Sequence, residues 1–164
     1  MLLINAIGFS NSGKTTLLET LAKHYYSIGK TVAVIKDIHN EKYQPDKEGT
    51  DTWRYSQAGV QLVVGRGLHN TVFHWRERLN FLEILGKVKT EIMLVEGFKE
   101  EKMPRIVCAV EKSDLAQLVD SQTYCISGKI SDTLEEFQHI PVYNFKRDLQ
   151  KIIALVEKNS ARVE

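Results

Sequence analysis

The 164 residues predict an α/β fold, a mostly parallel sheet flanked by helices, on three observations. Short apolar runs alternate with segments of helical periodicity, the rhythm of parallel strands joined by crossover helices. The first run, Leu2 to Ile7, is almost uninterrupted in its apolarity, as strands buried on both faces are. A glycine-bounded turn then leads straight into an amphipathic segment, the strand–turn–helix order in which a backbone turn can face an anion.

The turn, Gly8-Phe9-Ser10-Asn11-Ser12-Gly13-Lys14-Thr15, reads GxxxxGKT, the phosphate-binding loop of nucleoside triphosphatases, and makes the sheet one of P-loop type. Gly8 and Gly13 let successive N–H groups, those of Asn11, Ser12 and Thr16 among them, turn toward phosphate. Lys14 reaches the β- and γ-phosphates and Thr15 offers a hydroxyl to magnesium. Leu17, Leu18, Leu21 and Ala22 repeat at helical spacing over Lys14 to Ile28, and Gly29 stops the helix. A second strand covers Thr31 to Ile35. The stretch Asp37 to Thr50 that follows holds six charged residues and Pro45 and reads as a loop at the carboxyl end of a strand, where such sheets place ligands.

Further along, helices are expected at Asp51 to Ala58, Glu77 to Val88, Ser113 to Val119 and Arg147 to Lys158. Strands are expected at Gln61 to Val64, Thr71 to His74, Ile92 to Val95, Arg105 to Val110 and Tyr124 to Ser127. Gly65-Arg66-Gly67 before His69 to Trp75 reads as a hairpin that adds antiparallel strands at an edge of the sheet. The length suits one domain over residues 1–164.

Composition removes several classes of function. With 22 basic and 21 acidic residues, the net charge of +1 gives no electrostatic footprint for nucleic acid or an anionic membrane. No apolar stretch is long enough to span a bilayer, and the start lacks a charged segment before an apolar core, so a cytoplasmic protein is expected. Cys108 and Cys125 lie in apolar runs without a CxxC, as two reduced, buried thiols would. The five histidines show no ligand spacing for zinc.

A magnesium nucleotide needs a carboxylate at the end of another buried strand. Ile92-Met93-Leu94-Val95-Glu96-Gly97 provides one, and Glu96 is the candidate second metal-linked acid, with capping or a salt bridge as the alternative. Lys36 and Asp37 end the second strand and suit either phosphate and metal contacts or a solvated ion pair. Asp46, Gly49, Asp51 and Thr52 form an acidic, turn-prone cluster in which Asp51 is a natural N-cap as well as a candidate catalytic acid. Lys99, Lys102 and Arg105 form a basic loop that either binds a second anion or is simply solvated. Trp53 and Tyr55 suit stacking on a heterocycle or helix packing. The base is not identified. Asn144-Phe145-Lys146-Arg147-Asp148 carries the letters of a guanine-reading NKxD in the wrong spacing and reads as a loop entering the last helix, while Ser127-Gly128-Lys129, after a strand, is a candidate to contact a base through backbone groups.

Together, GFSNSGKTTLLETL at 8–21, VIKDIH at 34–39, PDKEGTDTWRYSQAG at 45–59 and LVEGFKEEKMPRIV at 94–107 resemble the molybdopterin-guanine dinucleotide biosynthesis protein B (MobB) family. The resemblance implies GTP and Mg2+ as ligands, with Gly13, Lys14 and Thr15 on phosphate and metal and Glu96 as the acidic strand end. It also implies a homodimer and a molybdenum cofactor guanylyltransferase as partner, with molybdopterin a further candidate ligand and GTP hydrolysis weak at most. The family's histidine-rich KHxHH is replaced here by Lys36-Asp37-Ile38-His39-Asn40, in which only Lys36 and His39 agree. Two other classes fit the same loop: a small-molecule kinase whose Lys99 and Arg105 grip an acceptor, and a nucleotide-gated binding module without catalysis.

Overall fold

The computed structural model describes residues 1–40, 42–43 and 46–163. Pro45, at the head of one family-like segment, lies outside them. The chain divides into two compact units, Met1–Asp37 with Thr90–Glu164, and Ile38–Lys89.

The first unit is built on β1 (Leu2–Ile7), β2 (Val32–Lys36), and the later strands β5 (Ile92–Glu96), β6 (Arg105–Cys108) and β7 (Thr123–Ser127). They run parallel in the order β2-β5-β1-β6-β7. Every residue of β1, β5 and β6 is buried, which is why all three are mostly apolar, with Asn5, Glu96 and Arg105 the exceptions. Alternate side chains serve opposite faces. Leu2, Ile4 and Ala6 pack with Leu17, Leu18 and Leu21 of α1 (Lys14–Ser27) and with Ile152 and Val156 of α5 (Leu149–Asn159). Ile7, Val107 and Ile126 pack with Leu115 and Leu118 of α4 (Lys112–Leu118). β2 is the edge strand, and its Val34 is exposed.

The second unit holds α2 (Asp51–Gln57), the hairpin of β3 (Leu62–Arg66) and β4 (Thr71–Trp75), and α3 (Phe81–Lys87). The expected hairpin forms, with Val64 opposite Phe73 and Leu62 opposite Trp75, and it is a two-stranded sheet of its own. Its side chains divide by pleat. Leu62, Val64, Phe73 and Trp75 share one face, whereas Val63 and His74 share the face toward α2, where Val63 is buried and His74 lies 3.5 Å from Ser56.

Boundaries differ from the sequence reading where a local hydrogen bond overrides periodicity. α3 starts at Phe81 rather than Glu77 because Asn80 and Glu83 close a capping box. α2 is capped by Thr50, whose hydroxyl accepts from Trp53 N–H, so Asp51 is the first helical residue and not the cap. The pairs β8 (Glu136–Phe137) with β9 (Ile140–Pro141), and β10 (Ala161–Arg162) against Leu2 and Leu3, are short additions that the sequence reading did not contain. No helix among the described residues is long and apolar enough to cross a membrane.

Candidate functional site

The carboxyl ends of β1, β5, β2, β6 and β7 converge around residues 8–15. The turn leaves β1 under close backbone contact. A Cβ on Gly8 would lie 2.2 Å from the carbonyl of Cys108 at the end of β6, and one on Gly128, after β7, would lie 2.3 Å from the carbonyl of Ser12. Glycine is therefore required at both positions for the loop to nest between the ends of β6 and β7. Gly13, with φ near +103°, caps α1, and its carbonyl accepts from Leu17 N–H. The first turn of α1 thus presents its uncompensated N–H groups at the loop, a seat for an anion.

Four side chains set the chemistry. Thr15 Oγ1 lies 3.0 and 2.9 Å from the two carboxylate oxygens of Glu96, across 81 residues of sequence. Lys36 Nζ sits 3.0 Å from Glu96 Oε1, in register with it across the β2–β5 ladder. Lys14 Nζ folds back to donate to the Phe9 carbonyl at 2.8 Å. Partial burial, the neighbouring Lys36 and Lys99 adding to it, pulls the Lys14 ammonium below the ordinary lysine range, against the attraction of Glu96. Lys99 Nζ lies 4.6 Å over the Phe9 ring, so a further cation borders the loop.

The donor set suits a hard cation. Thr15 and Glu96 supply oxygen only, and no group of three His, Cys, Asp or Glu among the described residues is close enough to hold a metal alone. Magnesium, which keeps several waters and completes its shell with phosphate oxygens, matches so sparse a protein contribution. An anion is matched as well: Ser12 Oγ is fully buried in the loop and has no hydrogen-bond partner among the described residues.

The other sequence candidates fall in several settings, some in the first unit and some in the second. Asp37 N–H donates to the Glu96 carbonyl, and a Cβ on Gly97 would stand 3.2 Å from that of Asp37, so Asp37 borders the end of β5. Arg105 is buried at 3% exposure, and its guanidinium donates to the carbonyls of Lys99, Glu101 and Met103. It shapes the 99–103 loop from inside. Asp51 belongs to the second unit, with its side chain exposed and 3.7 Å from Arg54. Asp46, in the same unit, lines a cavity of about 400 Å³ with Arg66 and His74, and hydrogen bonds from Thr52 and then Thr50 hold its carboxyl below the usual range. Trp53 is half-buried and Tyr55 exposed on α2.

One positioning residue escapes motif reading. Asn5, fully buried in β1, donates through Nδ2 to the Gly97 carbonyl at 2.9 Å and so fixes the chain beyond Glu96. The signal was there, since a lone asparagine in a buried apolar run must find a partner. Cys108 and Cys125 are free and buried, and burial raises both thiols to about 12, which leaves them neutral packing residues.

Fold and loop define an α/β protein of the P-loop NTPase type. Residues 3–131 match the profile of the family described as molybdopterin guanine dinucleotide synthesis protein B, and the chain belongs to that MobB family. It is 38% identical over 133 residues to a putative molybdopterin-guanine dinucleotide biosynthesis adapter protein of Methanocaldococcus jannaschii, covering 77% of this chain and 54%, about half, of that protein. A probable adapter protein of the same description from Bacillus subtilis is 32% identical over 146 residues, 87% of this chain and 84% of its own length. The crystal structure of Bacillus subtilis MobB superposes with a TM-score of 0.80 at 25% identity, over 99% of this chain and 100% of that one.

Proposed function

We propose that this chain is a GTP-binding adapter of molybdopterin-guanine dinucleotide synthesis, one that binds Mg-GTP and assists a molybdenum cofactor guanylyltransferase. The observation that carries the reading is the meeting of Thr15 with both oxygens of Glu96 beside Lys14 at the end of β1. In this reading the N–H groups of residues 11–16 hold the phosphates, Lys14 leaves the Phe9 carbonyl for the β/γ-phosphates, and Thr15 and Glu96 hold magnesium. Magnesium supplies charge neutralisation between the outer phosphates. Lys36 and Lys99 add positive charge at the rim. The names of the Methanocaldococcus and Bacillus relatives support the adapter role.

Hydrolysis is weak in this reading. Glu96 is engaged by Thr15 and Lys36, which leaves it poorly placed to take a proton from water. The kinase alternative loses one of its two acceptor groups, because Arg105 is buried and donates to three carbonyls. A homodimer is proposed as well, supported by the exposed Leu62, Val64 and Phe73 on one hairpin face. Molybdopterin stays a candidate ligand of the assembled complex.

Calorimetric titration with GTP and ATP, with and without Mg2+, tests the reading. GTP preference and tighter binding with Mg2+ are expected, and equal or better binding of ATP overturns it. Glu96→Gln should keep most of the magnesium-free affinity and lose the magnesium enhancement; the same enhancement in both proteins would remove Glu96 from the metal site.

A further inference from the structure

The phosphate loop has two flanks. On the β5 side stand Glu96, Lys36 and Thr15, the groups suited to the metal and the outer phosphates. A nucleotide held that way sends its nucleoside to the opposite flank, toward the ends of β6 and β7, since the phosphate chain runs along the loop and into the first turn of α1.

That flank is built from two loops. One is Gly128 to Asp132, which leaves β7 as a short 3₁₀ turn over Lys129–Asp132. The other is Asn144 to Asp148, brought there because Val142 bridges Ile126 of β7 in parallel and Ser127 Oγ donates to the Tyr143 carbonyl at 2.7 Å. Both loops abut the phosphate loop. A Cβ on Gly13 would lie 3.4 Å from Cα of Gly128 and 3.9 Å from the Phe145 ring. The stretch whose letters resemble a guanine-reading motif in the wrong spacing therefore lies at the nucleoside end of the loop.

Within this bracket Asn144 Nδ2 donates to Asp132 Oδ1 at 2.8 Å, and Asn144 Oδ1 accepts from Lys146 N–H at 2.9 Å. Arg147 Nη2 donates to the Ser131 carbonyl at 3.2 Å. Asp132 is thus held from the second loop at both its carboxylate and its preceding carbonyl, while Oδ2 accepts no hydrogen bond from a described residue. A braced, exposed carboxylate with Oδ2 open and a second lone pair left on Oδ1 is suited to two adjacent N–H donors of a heterocycle, and an adenine edge, with a ring acceptor where guanine has N1–H, does not supply that pair.

We infer that Asp132 reads the N1–H and 2-amino edge of a guanine base, with Asn144 as the residue that positions it and Phe145 beside the nucleoside. This rests on the GTP-binding reading above and gives it a source of base specificity in place of the missing NKxD.

Nucleotide exchange of the base tests it directly. Fluorescence or calorimetric titrations use GTP, ITP, XTP and ATP with the wild-type chain, Asp132→Asn and Asn144→Ala. In the wild type, loss of the 2-amino group in ITP is expected to weaken binding about tenfold. Asp132→Asn should lose about tenfold or more of its GTP affinity and gain for XTP, whose C2 carbonyl accepts from the new amide. Asn144→Ala should narrow the GTP/ITP ratio while leaving ATP affinity and the melting temperature unchanged, a pattern that a merely structural role does not produce. A wild type that prefers GTP, together with an Asp132→Asn chain that keeps the wild-type GTP/XTP ratio, overturns this site and spares the functional reading. A wild type that binds no nucleotide overturns both.

Discussion

The two units treat apolar side chains in opposite ways. In β1 and β5 every residue is buried, Glu96 included, whereas in β3 and β4 only Val63 is. A strand covered on both faces has a fixed end, and the ends of β1 and β5 are where Thr15 meets Glu96. A two-stranded hairpin cannot cover itself, and β3 and β4 leave Leu62, Val64 and Phe73 in solvent. The first arrangement suits precise contact with a small anion, and the second suits the broad apolar contact of a protein surface.

The largest effect that tests this contrast is at the loop. In the proposed reading Lys14 gives the phosphates two charge-assisted hydrogen bonds at about 1.5–3 kcal/mol each, so Lys14→Ala should lower nucleotide affinity by about two to four decades. Circular dichroism should stay unchanged, because among the described residues the partly exposed ammonium donates one hydrogen bond, to the Phe9 carbonyl of its own loop. Binding that survives within about threefold would place phosphate recognition elsewhere.

Next come paired truncations in the two kinds of strand. Leu94→Ala opens a cavity at a fully buried position of β5 and should cost about 2–5 kcal/mol, read as a lower urea midpoint at constant slope. Val64→Ala, on the exposed hairpin face, should shift the midpoint by less than about 0.5 kcal/mol in dilute protein. A loss for Val64→Ala that grows with protein concentration means that the face is covered in an assembly.

Phe73→Asp then asks what covers it. Sedimentation should show the wild type as a dimer and the variant shifted toward monomer, with GTP affinity of the first unit retained. A monomeric wild type at micromolar concentration removes the proposed homodimer.

How much of this was legible depends on where the signal lies. Strands buried on both faces announce themselves, so β1 and β5 were placed within one residue. Glu96 could be paired with Thr15 across 81 residues because an acid after a buried strand has few other uses at that end of a sheet. Arg105 was misjudged as a loop charge. Its partners are three backbone carbonyls that only the folded 99–103 loop brings together, and no residue pattern encodes a carbonyl. Asp132 and Asn144 were illegible as a pair because a single bridge, Ile126 to Val142, brings them together. The two-residue strands β8, β9 and β10 are too short to show any period.

The smallest effect concerns a boundary that the sequence misplaced by one residue, and it separates a side chain that caps a helix from one that merely begins it. Thr50 Oγ1 accepts from Trp53 N–H at 3.3 Å and its carbonyl accepts from Arg54 N–H at 3.0 Å, whereas the Asp51 side chain points into solvent. Thr50→Ala should therefore cost about 1 kcal/mol of local stability, seen as amide exchange across 51–57 that is about fivefold faster. Asp51→Ala removes only an exposed first-turn charge and a loose pairing with Arg54, and exchange should barely change. If Asp51→Ala proves the more damaging, the cap belongs to Asp51 after all.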